Sequence, residues 1–256
     1  MTVNEPILYQ GDYRNYLPEI DDYSIDLVIC DPPYWHHKSP GKPYNERRQC
    51  KTDSKFSNSG LYNAEGTMMR EMSNFEPSNI YELLEGISKK MKVYNAYFFC
   101  SENQVPHYCL WAERMSLMST ILVWEKPLSI INKNRFSQNL EYIVRVYDYG
   151  TALNKLDFNE YYNRVFHDAP ISGRNKRHPV EKPVSIMERL LLLSSKPCDV
   201  IFDPFMGSGT TGVACKLNDR CFIGCEKDVG YFEVARKRIS YTRKTYSIFD
   251  VSTWDN

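Results

Sequence analysis

The strongest indication of the fold is the segment Val200-Ile201-Phe202-Asp203-Pro204-Phe205-Met206-Gly207-Ser208-Gly209-Thr210-Thr211-Gly212. Its apolar start predicts a buried strand, followed by a glycine-rich turn and a helix. The three glycines have the spacing G-x-G-x-x-G, and the next predicted strand ends at Glu226, fourteen residues after the last of them. This order is typical of a mononucleotide-binding half, in which backbone approaches a ligand and a helix N-terminus favours an anionic group. A purely structural tight turn is the alternative.

A second motif, Asp31-Pro32-Pro33-Tyr34, follows a predicted buried strand at residues 24–30. The two prolines lack N–H donors, so the strand must end there. A carboxylate, backbone carbonyls and an aromatic ring then lie at the carboxyl end of a strand, where open α/β sheets bind ligands. A carboxylate and a carbonyl can both accept from one NH2 group, and a tyrosine ring can stack on a planar base. A strand-ending turn with an acidic N-cap is the alternative.

Strand and helix patterns alternate along the rest of the chain. Further strands are predicted at residues 8–12, 94–100, 120–124, 141–147 and 220–226, and helices at 79–92, 104–115, 183–193, 210–217 and 231–239. The stretches 35–78 and 148–177 show no apolar period. We therefore predict an α/β fold with a doubly wound, mostly parallel sheet and helices on both faces.

Composition limits the function classes. The 256 residues contain no run of transmembrane length, and the N-terminus does not resemble a secretory signal. Eight cysteines without a Cys-x-x-Cys pair indicate free thiols in a reducing cytoplasm and no metal site. The net charge is zero, but basic residues concentrate at 35–60 and 164–178, which indicates nucleic-acid contact or a solvated surface.

Taken together, Asp31-Pro32-Pro33-Tyr34 and Asp203-Pro204-Phe205-Met206-Gly207-Ser208-Gly209-Thr210 resemble the DNA amino-methyltransferases that use S-adenosylmethionine. The tetrapeptide precedes the glycine turn, as in the permuted β class of that family. Minor resemblances lie at residues 122–127, 139–142 and 178–183, and the matches run from Gly11 to about Arg238. The resemblance implies a Rossmann-like methyltransferase fold, with residues 1–256 as a single catalytic domain. A loop insertion would lie at about 35–78 and a small target-recognition excursion at about 148–177.

The resemblance also implies roles for single residues. Asp31 and the Pro32 carbonyl would hold the target amine, with Pro33 completing the rigid turn, and Tyr34 would stack on the flipped base. Glu226 would bind the ribose hydroxyls and Asp12 the adenine amine. The expected cofactor-binding residues are Asp12, Lys182, Asp203, Phe205, Gly207, Ser208, Gly209, Thr210 and Glu226. The expected DNA-binding residues are Arg47, Arg48, Lys133, Arg135, Arg174, Lys176 and Arg177.

The predicted activity is site-specific methylation of adenine N6 in double-stranded DNA, because aspartate at position 31 resembles the adenine enzymes. Cytosine N4 is the alternative; a nicotinamide-dependent oxidoreductase and a non-catalytic DNA-binding module are the others. A homodimer and a cognate restriction nuclease are candidate partners, and the expected location is the cytoplasm, on DNA. We also expect Asp31 to be dispensable for folding and the hydroxyl of Tyr34 to matter little.

Overall fold

The computed structural model describes residues 5–34, 75–127, 136–137, 139–170 and 181–243. Eight strands lie in these ranges: β1 Ile7–Gln10, β2 Leu27–Cys30, β3 Asn95–Cys100, β4 Met118–Glu125, β5 Leu140–Tyr147, β6 Val165–Phe166, β7 Val200–Asp203 and β8 Cys221–Glu226. The helices are α1 Tyr13–Tyr16, α2 Pro77–Ser88, α3 Val105–Arg114, α4 Val184–Ser194, α5 Thr210–Leu217 and α6 Val229–Tyr241. Short 3-10 turns occur at Leu17–Glu19 and Asn159–Tyr162.

All eight strands form one sheet in the order β1-β8-β7-β2-β3-β5-β4-β6. Every neighbouring pair is parallel except the two pairs that β5 makes with β3 and β4, which are antiparallel. Strand β5 is therefore the one reversed strand among those described. The predicted mostly parallel sheet is confirmed.

Strand β2 shows why the sheet carries helices on both faces. Val28 and Cys30 pack into a core with α2 and α3, whereas Leu27 and Ile29 pack into a second core with α4, α5 and α6. All four side chains are fully buried. An unbroken apolar strand is expected where a sheet is covered on both sides. The doubly wound arrangement is thus a direct consequence of the sequence of β2.

The element boundaries differ modestly from the prediction. Helix α2 begins at Pro77, two residues earlier than predicted, because Glu76 and Asn79 form a reciprocal capping box around the helix start. The periodicity also missed β6, which pairs in parallel with β4 inside the stretch 148–177. A strand of two residues has no repeat for a pattern to detect, so only its pairing identifies it.

Several predictions fall on residues outside the described ranges. These are the DNA-contact residues Arg47, Arg48, Lys133, Arg135, Arg174, Lys176 and Arg177. Among the described helices, none has the length and apolar character to span a membrane. The described cysteines are free thiols: Cys30, Cys100, Cys109, Cys198, Cys215, Cys221 and Cys225.

Candidate active site

Four adjacent strands deliver the predicted acidic residues to one edge of the sheet. Strands β1, β8, β7 and β2 are neighbours and run parallel. Their carboxyl ends carry, in the same order, Asp12, Glu226, Asp203 and Asp31. The aspartates of the two sequence motifs are 172 positions apart in the chain and yet meet at the carboxyl edge, as the rule for open α/β sheets predicts.

Asp203 holds the glycine turn in shape. Its Oδ1 accepts from the backbone N–H of Phe205 (3.0 Å) and its Oδ2 from the hydroxyl of Thr211 (2.6 Å). Burial raises the pKa of Asp203 to about 7, against the opposing effect of these two hydrogen bonds. Both carboxylate oxygens are thus engaged within the protein, which gives Asp203 a role in shaping the turn next to any ligand.

The three glycines of the turn have different functions. Gly207 has φ +52° and a side-chain direction with no atom within 4 Å, so its open face can lie against a ligand. Gly209 has φ +80°, but a Cβ there would lie 3.0 Å from Cβ of Ala235 in α6. A Cβ on Gly212 would meet Ile239 at 2.4 Å. The missing side chain of Gly209 therefore provides space for α6, in addition to the predicted role of its backbone beside a ligand.

Glu226 links the end of β8 to the glycine turn. Its Oε2 accepts from the N–H of Gly207 (2.9 Å) and its Oε1 from the N–H of Asp228 (2.8 Å). Burial raises the pKa of Glu226, and the backbone donors oppose that effect. Each oxygen of a carboxylate can accept more than one hydrogen bond, so Glu226 can still receive a hydroxyl pair. This arrangement fits the predicted ribose-binding role.

The structure turns other predicted cofactor residues toward protein partners. Asp12 caps α1 and accepts from Arg14, both through the backbone N–H (3.1 Å) and through the guanidinium (3.2 Å). Arg238 of α6 donates to the hydroxyls of Ser208 (3.2 Å) and Thr210 (3.1 Å). These hydroxyls therefore fix the turn on α6.

Phe205 forms an aromatic wall beside the turn. Its ring packs edge-on against Tyr13 (centroids 5.2 Å apart) and Phe75 (5.4 Å). Tyr13 and Phe75 are buried. Phe205, two residues before Gly207, thus offers a planar apolar ring that suits a purine. The open face of Gly207, the half-buried carboxylate of Glu226 and this ring fit a nucleoside-containing cofactor such as S-adenosylmethionine.

The two carboxylate oxygens of Asp31 differ in their hydrogen bonding. Its Oδ2 accepts from Nζ of Lys182 at 2.6 Å. Its Oδ1 is buried and has no hydrogen-bond partner in the described part of the chain. The following turn is fixed by Gln104, whose Nε2 donates to the Pro33 carbonyl at 3.0 Å. An orphaned buried acceptor is costly, which is a reason to look for a missing donor at Oδ1.

Tyr34 belongs to the same buried network. Its hydroxyl donates to Oε1 of Glu141 (2.6 Å) and accepts from Lys182 (3.2 Å). Lys182 also donates to Oε1 of Glu141 (3.2 Å), whose other oxygen pairs with Lys126 at 3.1 Å. Two acids and two lysines therefore balance each other; we call Asp31, Glu141, Lys126 and Lys182 the charged cluster. The expectation that only the ring of Tyr34 matters is incomplete.

The reversal of β5 explains how Glu141 reaches this cluster. In an antiparallel neighbour the beginning of the strand, not its end, lies at the carboxyl edge of the parallel strands. Glu141 is the second residue of β5 and pairs with Trp124 near the end of β4. Sequence reasoning noted Glu141 only within a minor resemblance. An acid at the start of a predicted strand is the only trace in the sequence, and it becomes informative only once the reversal of β5 is known.

The charged cluster shifts the ionisation of its acids in opposite directions. Burial raises the pKa of Asp31 and the charge of Glu141 adds to that, whereas Lys182 lowers it. Burial would also raise the pKa of Glu141, but Lys182 and Lys126 hold it at about 2. Glu141 is thus the firmly ionised acid, and Asp31 depends on Lys182. Across the described ranges, no set of three or more His, Cys, Asp or Glu side chains is placed to hold a metal ion.

Relatives of known type support the methyltransferase prediction. The chain is 25% identical over 252 residues to the Type II methyltransferase M2.MboI of Moraxella bovis, covering 90% of this chain and 86% of that protein. It is 26% identical over 269 residues to the Type II methyltransferase M2.DpnII of Streptococcus pneumoniae, covering 94% and 92%.

Solved structures share the fold. The structure of M1.HpyAVI with SAM aligns at a TM-score of 0.65 and 22% identity, over 91% of this chain and all of that one. The cytosine-N4-specific PvuII DNA methyltransferase aligns at 0.68 and 16% identity, over 96% and 89%. Residues 25–237 match the family model N6_N4_Mtase, described as DNA methylase. This range includes both motifs and the whole charged cluster, and the chain therefore belongs to that family of DNA methylases.

Proposed function

We propose that this protein transfers a methyl group from S-adenosylmethionine to the N6 amine of adenine at a specific DNA site. The observation that carries the proposal is the buried, unpaired Oδ1 of Asp31 at the carboxyl end of β2. It lies beside the glycine turn that follows the adjacent strand β7. Family membership makes the oxidoreductase alternative untenable, and an intact glycine turn argues against a non-catalytic DNA-binding module.

The target base must leave the duplex, because an amine inside the stack cannot reach this edge of the sheet. Its nitrogen is a poor nucleophile while the lone pair is delocalised into the ring. Oδ1 of Asp31 and the Pro32 carbonyl would accept its two N–H groups and so favour a pyramidal nitrogen with an available lone pair. The ring of Tyr34 would support the flipped base by stacking.

The cofactor half would supply position more than acid–base chemistry. Gly207 lets the backbone approach, Glu226 would accept from the ribose hydroxyls, and Phe205 would cover the purine. When bound there, S-adenosylmethionine supplies an electrophilic methyl group. Asp31 is the residue placed to accept a hydrogen bond from the amine, and the N–H proton that the methylated nitrogen must lose would pass to its Oδ1 and from there to solvent.

The fold alone does not select adenine over cytosine. The cytosine-N4-specific PvuII DNA methyltransferase aligns with this chain at least as well as M1.HpyAVI does. The support for adenine is Asp31, the first residue of the tetrapeptide, because an aspartate there resembles the adenine-N6 enzymes. Cytosine N4 remains the second candidate.

The finer organisation is also part of the proposal. The tetrapeptide precedes the glycine turn in the chain, which supports the permuted β class and a single catalytic domain. The stretch 148–177 is proposed to contact the target sequence, and Arg189 of α4 fixes part of it by donating to the carbonyls of Glu160, Tyr161 and Asn163. A homodimer, a cognate restriction nuclease and a cytoplasmic location complete the proposal.

The test uses labelled S-adenosylmethionine and unmethylated double-stranded DNA, followed by hydrolysis and nucleoside analysis. Label in N6-methyladenine supports the proposal, and label in N4-methylcytosine moves the enzyme to the second candidate. Asp31→Ala serves as the matched control for contaminating activity. Absence of label from either base, in protein that binds the cofactor, would refute the activity.

A further inference from the structure

Resting on the proposed methyl transfer, we propose that Lys182 is a positioning residue for Asp31. Lys182 holds Oδ2 of the carboxylate, so that Oδ1 alone remains to accept the target amine. The resemblance placed Lys182 among the cofactor-binding residues, whereas its contacts are with the tetrapeptide and Glu141.

The contact between the two side chains is short and shielded from water. Nζ of Lys182 lies 2.6 Å from Oδ2 of Asp31, and the side chains are 4% and 19% exposed. A charge-assisted hydrogen bond of that length in a buried site has a defined geometry. The rotation of the carboxylate is therefore set by Lys182, and the position of Oδ1 follows from it.

Glu141 fixes Lys182 from the other side. Oε1 of Glu141 lies 3.2 Å from Nζ, and the hydroxyl of Tyr34 lies 3.2 Å from the same nitrogen. The ammonium group therefore meets two carboxylates and one hydroxyl, a full set of partners for its three N–H groups. With its partners fixed, Lys182 cannot turn away from Asp31 without breaking two other contacts.

Lys182 also determines whether Asp31 stays charged. Both acids of the charged cluster are largely buried, and the negative charge of Glu141 raises the pKa of Asp31. Lys182 is the cation that contacts Asp31, since the nearest contact of Lys126 in the charged cluster is Oε2 of Glu141. Without Lys182, Asp31 would take up a proton at a higher pH and would then be a poorer acceptor for the amine.

The chain offers a matched control. Lys126 belongs to the same cluster and pairs with the same glutamate, but its contact is with Oε2, and its side chain is 31% exposed. Lys182→Met and Lys126→Met remove the same charge from opposite sides of Glu141. Only the first change removes a contact of Asp31.

The experiment measures single-turnover methyl transfer against pH, together with cofactor affinity and the thermal midpoint. We expect Lys182→Met to slow transfer by about 10², the usual cost of losing one preorganised polar contact. Its S-adenosylmethionine affinity should stay within about threefold of the parent. Its rate should recover as the pH rises, with an acid limb displaced upward by about one pH unit. Lys126→Met should slow transfer less than about fivefold and keep the parental pH profile.

A second variant keeps the test decisive if Lys182→Met folds poorly. Glu141→Gln combined with Lys182→Met removes one charge of each sign and keeps an acceptor for Tyr34. Relative to Glu141→Gln alone, the double variant should transfer methyl at least about tenfold more slowly. Its acid limb should lie below that of Lys182→Met, because the like charge next to Asp31 is gone.

Three results would overturn the positioning role. Equal losses in Lys182→Met and Lys126→Met would reduce Lys182 to general charge balance. If Lys182→Met lost cofactor affinity and kept the parental pH profile, Lys182 would be a cofactor-binding residue instead. Equal rates for the double variant and Glu141→Gln would remove Lys182 from the reaction. An inactive parent enzyme would instead refute the proposed function itself.

Discussion

The two halves of the active edge hold their acids in different ways. At the ends of β7 and β8, Asp203 and Glu226 accept from backbone N–H groups and a hydroxyl whose residues lie 2, 8 and 19 positions away along the chain. At the end of β2 and the start of β5, Asp31 and Glu141 are held by lysines and by Tyr34. Those partners lie up to 151 positions away.

The glycine turn with Glu226 is therefore held by residues that are near in sequence, whereas the charged cluster is held by residues that are far apart in sequence. The glycine turn and its partners all lie between Asp203 and Arg238, so its shape is encoded in one continuous segment of the chain. The charged cluster exists only after distant strands have paired. Changes in the first half should therefore act mainly on cofactor binding and folding, and changes in the second half mainly on the transfer step.

The largest effect is expected at Asp31. Asp31→Ala should lower methyl transfer by about 10²–10³, because it removes the preorganised acceptor of the amine. S-adenosylmethionine affinity, measured by calorimetry, should change less than about threefold. A strong loss of cofactor affinity would mean that the two halves are not separable.

Asp31→Ala also tests the expectation that Asp31 is dispensable for folding. Sequence reasoning treats Asp31 as dispensable for folding, but its removal leaves the buried Lys182 with one acid instead of two. Chemical denaturation of Asp31→Ala should therefore show a loss of more than about 1 kcal/mol. An unchanged midpoint would indicate that Lys182 is compensated by other groups.

Next come two matched glycines. Gly209→Ala should lower the free energy of unfolding by about 2–4 kcal/mol, because it combines a positive φ with contacts of 3.0–3.1 Å to α6. Gly207→Ala has only the positive φ and should cost about 1 kcal/mol, but it should weaken cofactor binding about tenfold. Denaturation and calorimetry on both variants test the assignment, and a reversed pattern would contradict it.

A smaller loss is expected for Tyr34→Phe. The ring remains, but the hydroxyl that donates to Glu141 and accepts from Lys182 is lost. A hydrogen bond to a charged group is typically worth about 1.5–3 kcal/mol, so transfer should slow by about tenfold or more. Affinity for a DNA with an unpaired target base, which reports stacking, should be nearly unchanged. A fully active variant would restore the view that only the ring matters.

The smallest effect concerns pH. The folded-state pKa of Asp203, about 7, lies above its ordinary value of 3.8, so the native state binds this proton more tightly than the unfolded chain does. The resulting stability is fully present below about pH 4 and is lost as the pH rises through about 7. Asp203→Asn should remove this part of the pH dependence, so its stability relative to the parent should rise by about 1.4 kcal/mol for each pH unit between about pH 4 and about pH 7. If the free energies of unfolding of the parent and Asp203→Asn depended on pH in the same way, the raised pKa of Asp203 would be refuted.

The same comparison explains what the sequence could predict. The fold class, the strand ends with Asp31, Asp203 and Glu226, and the glycine turn all depend on local patterns, and the fold and family are confirmed. The partners of Asp31 could not be predicted, because Lys182 precedes α4 and Glu141 begins a strand whose reversal leaves no mark in its own residues. Likewise, the packing of Gly209 against Ala235 depends on where α6 returns to the sheet.

The central pairing of β2 with β7 has a consequence for synthesis of the chain. Asp26 at the entry to β2 accepts from the N–H of Val200, across 174 positions of sequence. During translation β2 therefore leaves the ribosome long before β7 is synthesised. The backbone groups of β2 that bond to β7 stay unpaired until then. Loop closure over such a span is entropically slow, so the emergence of the last quarter of the chain sets the earliest moment at which the tetrapeptide gains its cofactor half. A chain released early would carry Asp31 without the glycine turn that follows β7.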